Sequence, residues 1–260
     1  MEPGDPMMAQ GDSRSLHGRR ALVTGAGRGI GAAVARLFAE RGASLLLLDI
    51  DRDPVEGLAG ELSRSGCDAQ VCIADIADIG GTRSAIGDLV HGIDILVNNA
   101  GISGREARFS DIDEAGYDRM MNIHLRGAFF LTQGVVPGMA ARGGGRIINV
   151  SSNRGMVGYT RSSHYCAAKA ALLGFTKAWA KELAPDGILV NAVAPGVVFT
   201  EMNTWNGMAP LEEEATWNLL KRWAEPNEIA YTIAFLASAE AAFITGQVIS
   251  PNGGDPIVGI

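Results

Sequence analysis

Residues 21–31 read Ala21-Leu22-Val23-Thr24-Gly25-Ala26-Gly27-Arg28-Gly29-Ile30-Gly31. Three apolar residues make a short strand, and a run of glycines follows at once. Ile30, Val34, Leu37 and Phe38 then recur at helical spacing through residues 32–41. Strand, glycine loop and helix in that order suit the binding of a dinucleotide. The glycines let the backbone approach a pyrophosphate, and the helix start offers it unpaired N–H groups. A tight strand-to-helix turn without a ligand reads the same way. The G-x-G-x-x-G spacing is also not quite met, because the last position falls on Ile30 or on Ala32.

Working outward, residues 44–48 form a second apolar strand ending at Asp49. Asp49 stands near the separation of about 20 residues at which a carboxylate meets the adenosine ribose. There it accepts hydrogen bonds from the 2′- and 3′-hydroxyls and repels a 2′-phosphate, so it points to NAD over NADP. Arg28 pulls the other way, since a base in the loop can meet that phosphate. Direct carboxylate–phosphate contact is the harder conflict, so Asp49 carries more weight. A solvated strand end is the plain alternative.

The alternation continues along the chain. Residues 53–64 read as a helix and 70–74 as a strand closing on Asp75-Ile76. Asp75 can reach an adenine amino group or cap the helix starting near Asp78. Residues 93–97 form a strand ending in Asn98-Asn99-Ala100-Gly101, a turn whose side chains can tie neighbouring strand ends together. Residues 113–141 are long and helical, with polar Asn122 and His124 among apolar neighbours. Strand 146–150 ends in Ser151-Ser152, and strand 189–193 is broken by Ala194-Pro195-Gly196 before 197–200. Residues 201–222 are irregular and can form a lid; 226–237 is a last helix and 246–250 a last strand. Strands alternating with helices imply an α/β fold: one doubly wound parallel sheet, Rossmann-like, of about seven strands with helices on both faces. Residues 18–260 form this single domain, and 1–17, without apolar periodicity, are expected to be a flexible tail.

Composition narrows the function. Of 260 residues, 22 are Lys or Arg and 29 Asp or Glu, for a formal charge of −7 with no basic runs, which disfavours nucleic acid. No apolar run approaches a membrane span, and the polar first fifteen residues do not read as a secretory signal. Cys67, Cys72 and Cys166 form no CxxC pair and fit reduced thiols in the cytoplasm. No histidine sits in a metal-ligand spacing, so no metal site is expected.

Residues 162–172 read SSHYCAAKAAL and place Tyr165 and Lys169 one helical turn apart on one face. An ammonium beside a phenol favours the phenolate, which makes a proton donor and acceptor suited to an alcohol or ketone. The pair alone also occurs by chance in many helices. His164 points about 100° away from Tyr165 on the same helix and is not read as catalytic.

Taken together, these residues resemble the short-chain dehydrogenases/reductases, and most closely their 3-oxoacyl-carrier-protein reductase-like group, over residues 19–254. The matching motifs are Thr24-Gly25-x-x-x-Gly29-x-Gly31, Asp75, Asn98-Asn99-Ala100-Gly101, Asn122, Ser152, Tyr165-x-x-x-Lys169, and Pro195-Gly196 with Thr200. The resemblance implies that Tyr165 is the general acid/base and that Ser152 hydrogen-bonds the substrate oxygen. It implies that Lys169 binds the nicotinamide ribose and lowers the Tyr165 pKa, and that Asn122 holds a water in a relay through Lys169. It further implies cofactor contacts from Gly25, Arg28, Gly29, Ile30, Gly31, Asp49, Asp75, Ile76, Asn99, Ala100, Gly101, Pro195 and Gly196, with Val198 and Thr200 at the carboxamide.

The expected function is NAD-dependent interconversion of a secondary alcohol and a ketone. The polar residues Asn153, Arg154, Tyr159, Arg161 and His164 favour a sugar, polyol or hydroxy acid as substrate. The alternative is a 3-oxoacyl-thioester reductase, for which Arg142 and Lys181 are candidate carrier-protein contacts. A nucleotide-sensing or scaffolding protein is the non-enzyme alternative, and the set Asn122, Ser152, Tyr165 and Lys169 speaks against it. The resemblance, with apolar residues 243–249 and the ending Pro256-Ile257-Val258-Gly259-Ile260, implies a homo-oligomer, specifically a tetramer.

Overall fold

The computed structural model describes residues 15–104, 106–204 and 208–257, with the backbone alone at 209 and 210. In chain order the elements are β1 (Arg20–Thr24), α1 (Gly29–Glu40), β2 (Ser44–Asp49), α2 (Arg52–Arg64), β3 (Ala69–Ile73), α3 (Ile79–Ile86) and β4 (Ile95–Asn98). Then come α4 (Glu114–Met121), α5 (Ala128–Ala141), β5 (Gly145–Val150), α6 (Arg154–Val157), α7 (Ser163–Leu183) and β6 (Ile188–Val193). Helices α8 (Glu201–Thr204), α9 (Ala209–Ala215) and α10 (Pro226–Ala237) precede β7 (Val248–Ile249). The seven strands form one sheet in the order β3-β2-β1-β4-β5-β6-β7, and every pairing is parallel.

Strand composition explains the layering. A parallel sheet covered on both faces needs strands that are apolar throughout, and Leu45, Leu46, Leu47 and Leu48 are all buried. Their side chains alternate between faces. Val23, Leu45, Leu47, Ile148 and Val193 pack with α1, α2 and α10 on one side. Leu22, Leu46, Leu48, Ile147 and Val190 pack with Leu131, Val135 and Met139 of α5 and Trp179 of α7 on the other. Each fully buried leucine contributes about 1.5–3 kcal/mol. Helix α10 begins at Pro226 behind a capping box of Glu225 and Glu228.

Two expectations need correction. Of the stretch read as a tail, residues 1–14 lie outside the described residues. The last part is packed: Leu16 is buried, and its N–H donates to the Arg41 carbonyl at 3.0 Å. The stretch 113–141 is interrupted by a π-helical turn over Asn122–Gly127 between α4 and α5. Such a wide turn shifts the helical register, so side chains near it face directions that a 3.6-residue period does not anticipate. Gly127 closes the turn against the Ile76 backbone, where a Cβ would lie 2.7 Å from the Ile76 carbonyl oxygen.

Candidate active site

The strand order reverses between β1 and β4, and a crevice opens there at the carboxyl ends of the strands. Side chains hold it in shape. Thr24 Oγ donates to the Val97 carbonyl and accepts the N–H groups of Asn99 and Ala100 at 3.0 and 2.9 Å. Asn99 Nδ2 donates to the carbonyls of Thr24 and Gly25. Asn98 Nδ2 donates to Asn149 Oδ1 at 2.9 Å and to Thr132 Oγ at 3.0 Å, tying β4 to β5 and α5. The asparagine pair thus ties strand ends together, as its position after an apolar strand suggested.

The crevice is a cavity of about 670 Å³. Gly25, Arg28, Gly29, Ile30 and Asp49 line one end. Asp75, Ile76, Asn99, Ala100 and Gly101 line the middle. Ser152, Tyr165, Lys169, Pro195, Gly196, Val198 and Thr200 line the other end. Gly31 is not on this wall. It is buried behind the loop, where a Cβ would run into the Gly25 carbonyl and lie 2.7 Å from Asn99 Nδ2.

The shape of the loop end suits a dinucleotide. Gly25 and Gly29 have φ of +62° and +52°, conformations that favour glycine. Arg28, which precedes α1, makes no side-chain cap, so the first N–H groups of α1 are left for a ligand. Asp49 Oδ2 accepts the Gly27 N–H at 2.8 Å, and Oδ1 accepts the Asp51 N–H at 3.0 Å. The carboxylate is therefore fixed beside the loop. The Arg28 guanidinium is drawn to Asp51 at 2.6 Å, away from a free role in the loop. Asp75 Oδ1 accepts the Ala77 N–H, while the cap of α3 falls to Asp78. Of the two roles open to Asp75, capping is thus taken by its neighbour.

At the other end, Ser151 and Lys169 set the geometry. Ser151 Oγ donates to the Lys169 carbonyl at 2.7 Å and pins α7 to the end of β5. Lys169 Nζ, 5% exposed, donates to the Val150 carbonyl at 2.9 Å and lies 5.7 Å from the centre of the Tyr165 ring. Ser152 Oγ donates to Asn153 Oδ1 and accepts the Arg154 N–H, both at 3.2 Å. Burial pulls the Lys169 ammonium down from its usual 10.5 to about 7. Burial also pushes the Tyr165 phenol up; the Ser152 hydroxyl and the Arg154 charge offset part of this. The expectation that Lys169 by itself lowers the Tyr165 pKa is thus corrected. Desolvation of the phenol is the largest effect, and the offsets come from Ser152 and Arg154 rather than from Lys169.

Several sequence-predicted residues lie elsewhere. Asn122 opens the π turn and is not part of the cavity wall, whereas His124, two residues on, is. Asn153, Arg154, Tyr159, Arg161 and His164 are also absent from the wall. The Arg154 guanidinium lies 3.8 Å from the Tyr159 ring centre and pairs with Glu214 at 2.5 Å. Asn153 Nδ2 donates to the Asp255 carbonyl at 3.0 Å. These groups brace the loop after β5 against α9 and the C-terminal segment. Arg142 pairs with Asp94 and donates to the His91 and Ile93 carbonyls. Arg142 and Lys181 both sit at helix ends that lead into β5 and β6, at the end of the sheet remote from the cavity. His124, Ser103, Arg119, Glu201, Met202 and Asn203 also line the cavity, although the sequence did not mark them as site residues. The polarity of His124 within an apolar stretch was the one available signal.

A parallel sheet with a glycine loop at its switch point, joined by one cavity to a Ser–Tyr–Lys group, defines a dinucleotide-dependent oxidoreductase. A family model described as Enoyl-(Acyl carrier protein) reductase matches residues 25–255, and the chain belongs to the short-chain dehydrogenase/reductase family. As a member it is an NAD(P)-dependent oxidoreductase acting on CH–OH groups. Among its relatives, the 3-oxoacyl-[acyl-carrier-protein] reductase FabG of Thermotoga maritima is 39% identical over 242 residues, covering 92% of this chain and 98% of the relative. A gluconate 5-dehydrogenase from Burkholderia cenocepacia, solved with NADP and tartrate, superposes with a TM-score of 0.87 at 35% identity, covering 94% of this chain and 97% of its own. A 3-oxoacyl-[acyl-carrier protein] reductase from Brucella melitensis with bound NAD gives 0.87 at 32% identity, covering 98% and 97%.

Proposed function

We propose that this enzyme interconverts a secondary alcohol and a ketone with NAD as the preferred hydride carrier. The observation that carries the reading is the single cavity joining Asp49 and the glycine loop to Ser152, Tyr165 and Lys169. Asp49 would hold the adenosine ribose, the start of α1 the pyrophosphate, Lys169 the nicotinamide ribose, and Val198 with Thr200 the carboxamide. When bound, the nicotinamide would supply the hydride donor or acceptor. In reduction Tyr165 Oη gives its proton to the substrate oxygen, and in oxidation it takes the hydroxyl proton. Ser152 Oγ donates a hydrogen bond to the same oxygen and steadies its changing charge.

The NAD preference rests on the fixed Asp49 carboxylate and on Arg28 being paired with Asp51. Of the two solved relatives, one was solved with NADP and the other with NAD bound. A polar substrate is favoured by Ser103 and Arg119 on the wall and by the tartrate bound in the gluconate 5-dehydrogenase. A 3-oxoacyl thioester is the second reading, carried by the names of relatives about 39% identical over nearly their whole length.

The test is kcat/KM for gluconate-type hydroxy acids and polyols against an acetoacetyl thioester, each with NAD(H) and NADP(H). Faster turnover of the thioester with NADPH would move the function to biosynthetic reduction. The free thiols Cys67, Cys72 and Cys166 fit a reducing cytoplasm. The fully exposed Phe243 fits a homotetramer, and light scattering at micromolar concentration would decide between tetramer and monomer.

A further inference from the structure

His124 is held more tightly than a filler of the core requires. It is 2% exposed within the π turn yet lines the cavity. Its ring stands edge-on to Tyr165, with centres 5.7 Å apart and planes at 89°. Gly101 makes room for it: a Cβ there would lie 3.0 Å from Nδ1 and closer still to Cε1. Nε2 lies 3.1 Å from the Ile102 nitrogen and 2.8 Å from the Ile102 oxygen. One ring nitrogen cannot serve both, and the shorter contact is with the carbonyl. With the hydrogen on Nε2, the tautomer that serves the shorter contact, Nδ1 presents a lone pair. Among the described residues Nδ1 has no partner, although it is buried. A buried acceptor left unsatisfied costs about 1–3 kcal/mol, so this lone pair calls for a donor.

Lys169 is the donor at hand. It lines the same cavity from α7 and uses one of its three N–H groups on the Val150 carbonyl. The other titratable or charged groups around His124 are Tyr165 and His164 of α7 and Arg119 of α4; residues 99–104 carry none. Burial first, and the Lys169 charge second, hold the His124 pKa down at about 3, so the ring is a neutral acceptor throughout the working range.

We infer that His124 is a positioning residue for the Tyr165–Lys169 pair: its Nδ1 accepts a hydrogen bond from the Lys169 ammonium, directly or through one water, while its ring edge fixes the phenol. The role implied for Asn122 by resemblance then falls to His124, because the π turn brings this residue to the cavity. The inference rests on the reading of Tyr165 and Lys169 as the reactive pair. An acceptor at Nδ1 stabilises the ammonium, so its loss lets Lys169 deprotonate at lower pH.

Two measurements test this. The first is nuclear magnetic resonance of the cofactor-free protein with isotope-labelled histidine. His124 is expected as the neutral Nε2–H tautomer, staying neutral well below pH 6.5, and Lys169→Met is expected to move its Nδ1 resonance. The second is the pH profile of kcat/KM for His124→Phe and His124→Asn, the amide oxygen of Asn standing near the place of Nδ1. His124→Phe should lose about tenfold or more in kcat, and its basic limb should fall about one pH unit lower. His124→Asn should recover most of both. An Nδ1–H tautomer, a resonance indifferent to Lys169→Met, or a Phe variant with unmoved profile would overturn the proposal. If the wild type turned over no alcohol or ketone, the functional reading would fall, while the resonance would still report the contact.

Discussion

Lys169 should make the protein less stable, and removing its charge should show this. The side chain is 5% exposed, and its pKa falls from 10.5 to about 7 with burial as the cause. At about 1.4 kcal/mol per pH unit, this fall corresponds to a ceiling of about 5 kcal/mol against the charged form. Relaxation and water entry reduce it, and a third to a half is the working expectation. The sign follows from proton binding. Below pH 7 both folded and unfolded chains carry the ammonium, and the fold bears the full penalty. Between pH 7 and 10.5 the unfolded chain binds more protons than the native one, so stability rises with pH. Lys169→Met keeps the aliphatic packing and removes the charge. In urea unfolding of cofactor-free protein at fixed concentration, the variant should be more stable than wild type by about 2 kcal/mol at pH 6. The gap should narrow by about 1–2 kcal/mol by pH 9, and turnover should be lost. A variant less stable at pH 6, or a gap that does not change with pH, would refute the reasoning; the bond to Val150 would then outweigh desolvation.

Other outcomes follow from the same geometry. Tyr165→Phe should lower kcat by about 10²–10⁴ with calorimetric NAD affinity within about twofold, since the hydroxyl serves the proton step. Asp49→Ser should shift the ratio of kcat/KM for NAD to that for NADP about tenfold toward NADP. It should also lower the melting temperature, because the Gly27 and Asp51 N–H groups lose their acceptor. Gly31→Ala should destabilise the protein by about 1–3 kcal/mol by thermal unfolding, because the added Cβ meets the Gly25 carbonyl and Asn99.

What was legible in the sequence was whatever depends on local pattern. Alternating apolar runs and helical periods identify β1 to β7 in order, because a doubly wound sheet buries its inner strands on both faces and leaves a continuous apolar signature there, while the edge strands β3 and β7 are only partly buried. Glycines at 25 and 29, Asp49 at a strand end, and Tyr165 one turn from Lys169 can likewise be read from spacing alone. Helix α10 could be bounded to the residue because Pro226 marks its start.

What only the tertiary structure decided depends on register and burial. The resemblance pointed to Asn122; a π turn has no periodic signal in sequence, and across this one it is His124 that reaches the cavity wall. Arg154 and Tyr159 were read toward the substrate because they are near Ser152 in sequence; in the fold the Arg154 guanidinium lies over the Tyr159 ring and pairs with Glu214. The direction of the Tyr165 and Lys169 shifts also lay beyond the sequence. Charge attraction can be inferred from spacing, but desolvation is set by how many elements close over a group, and here β5 and α7 bury the lysine completely enough for desolvation to prevail.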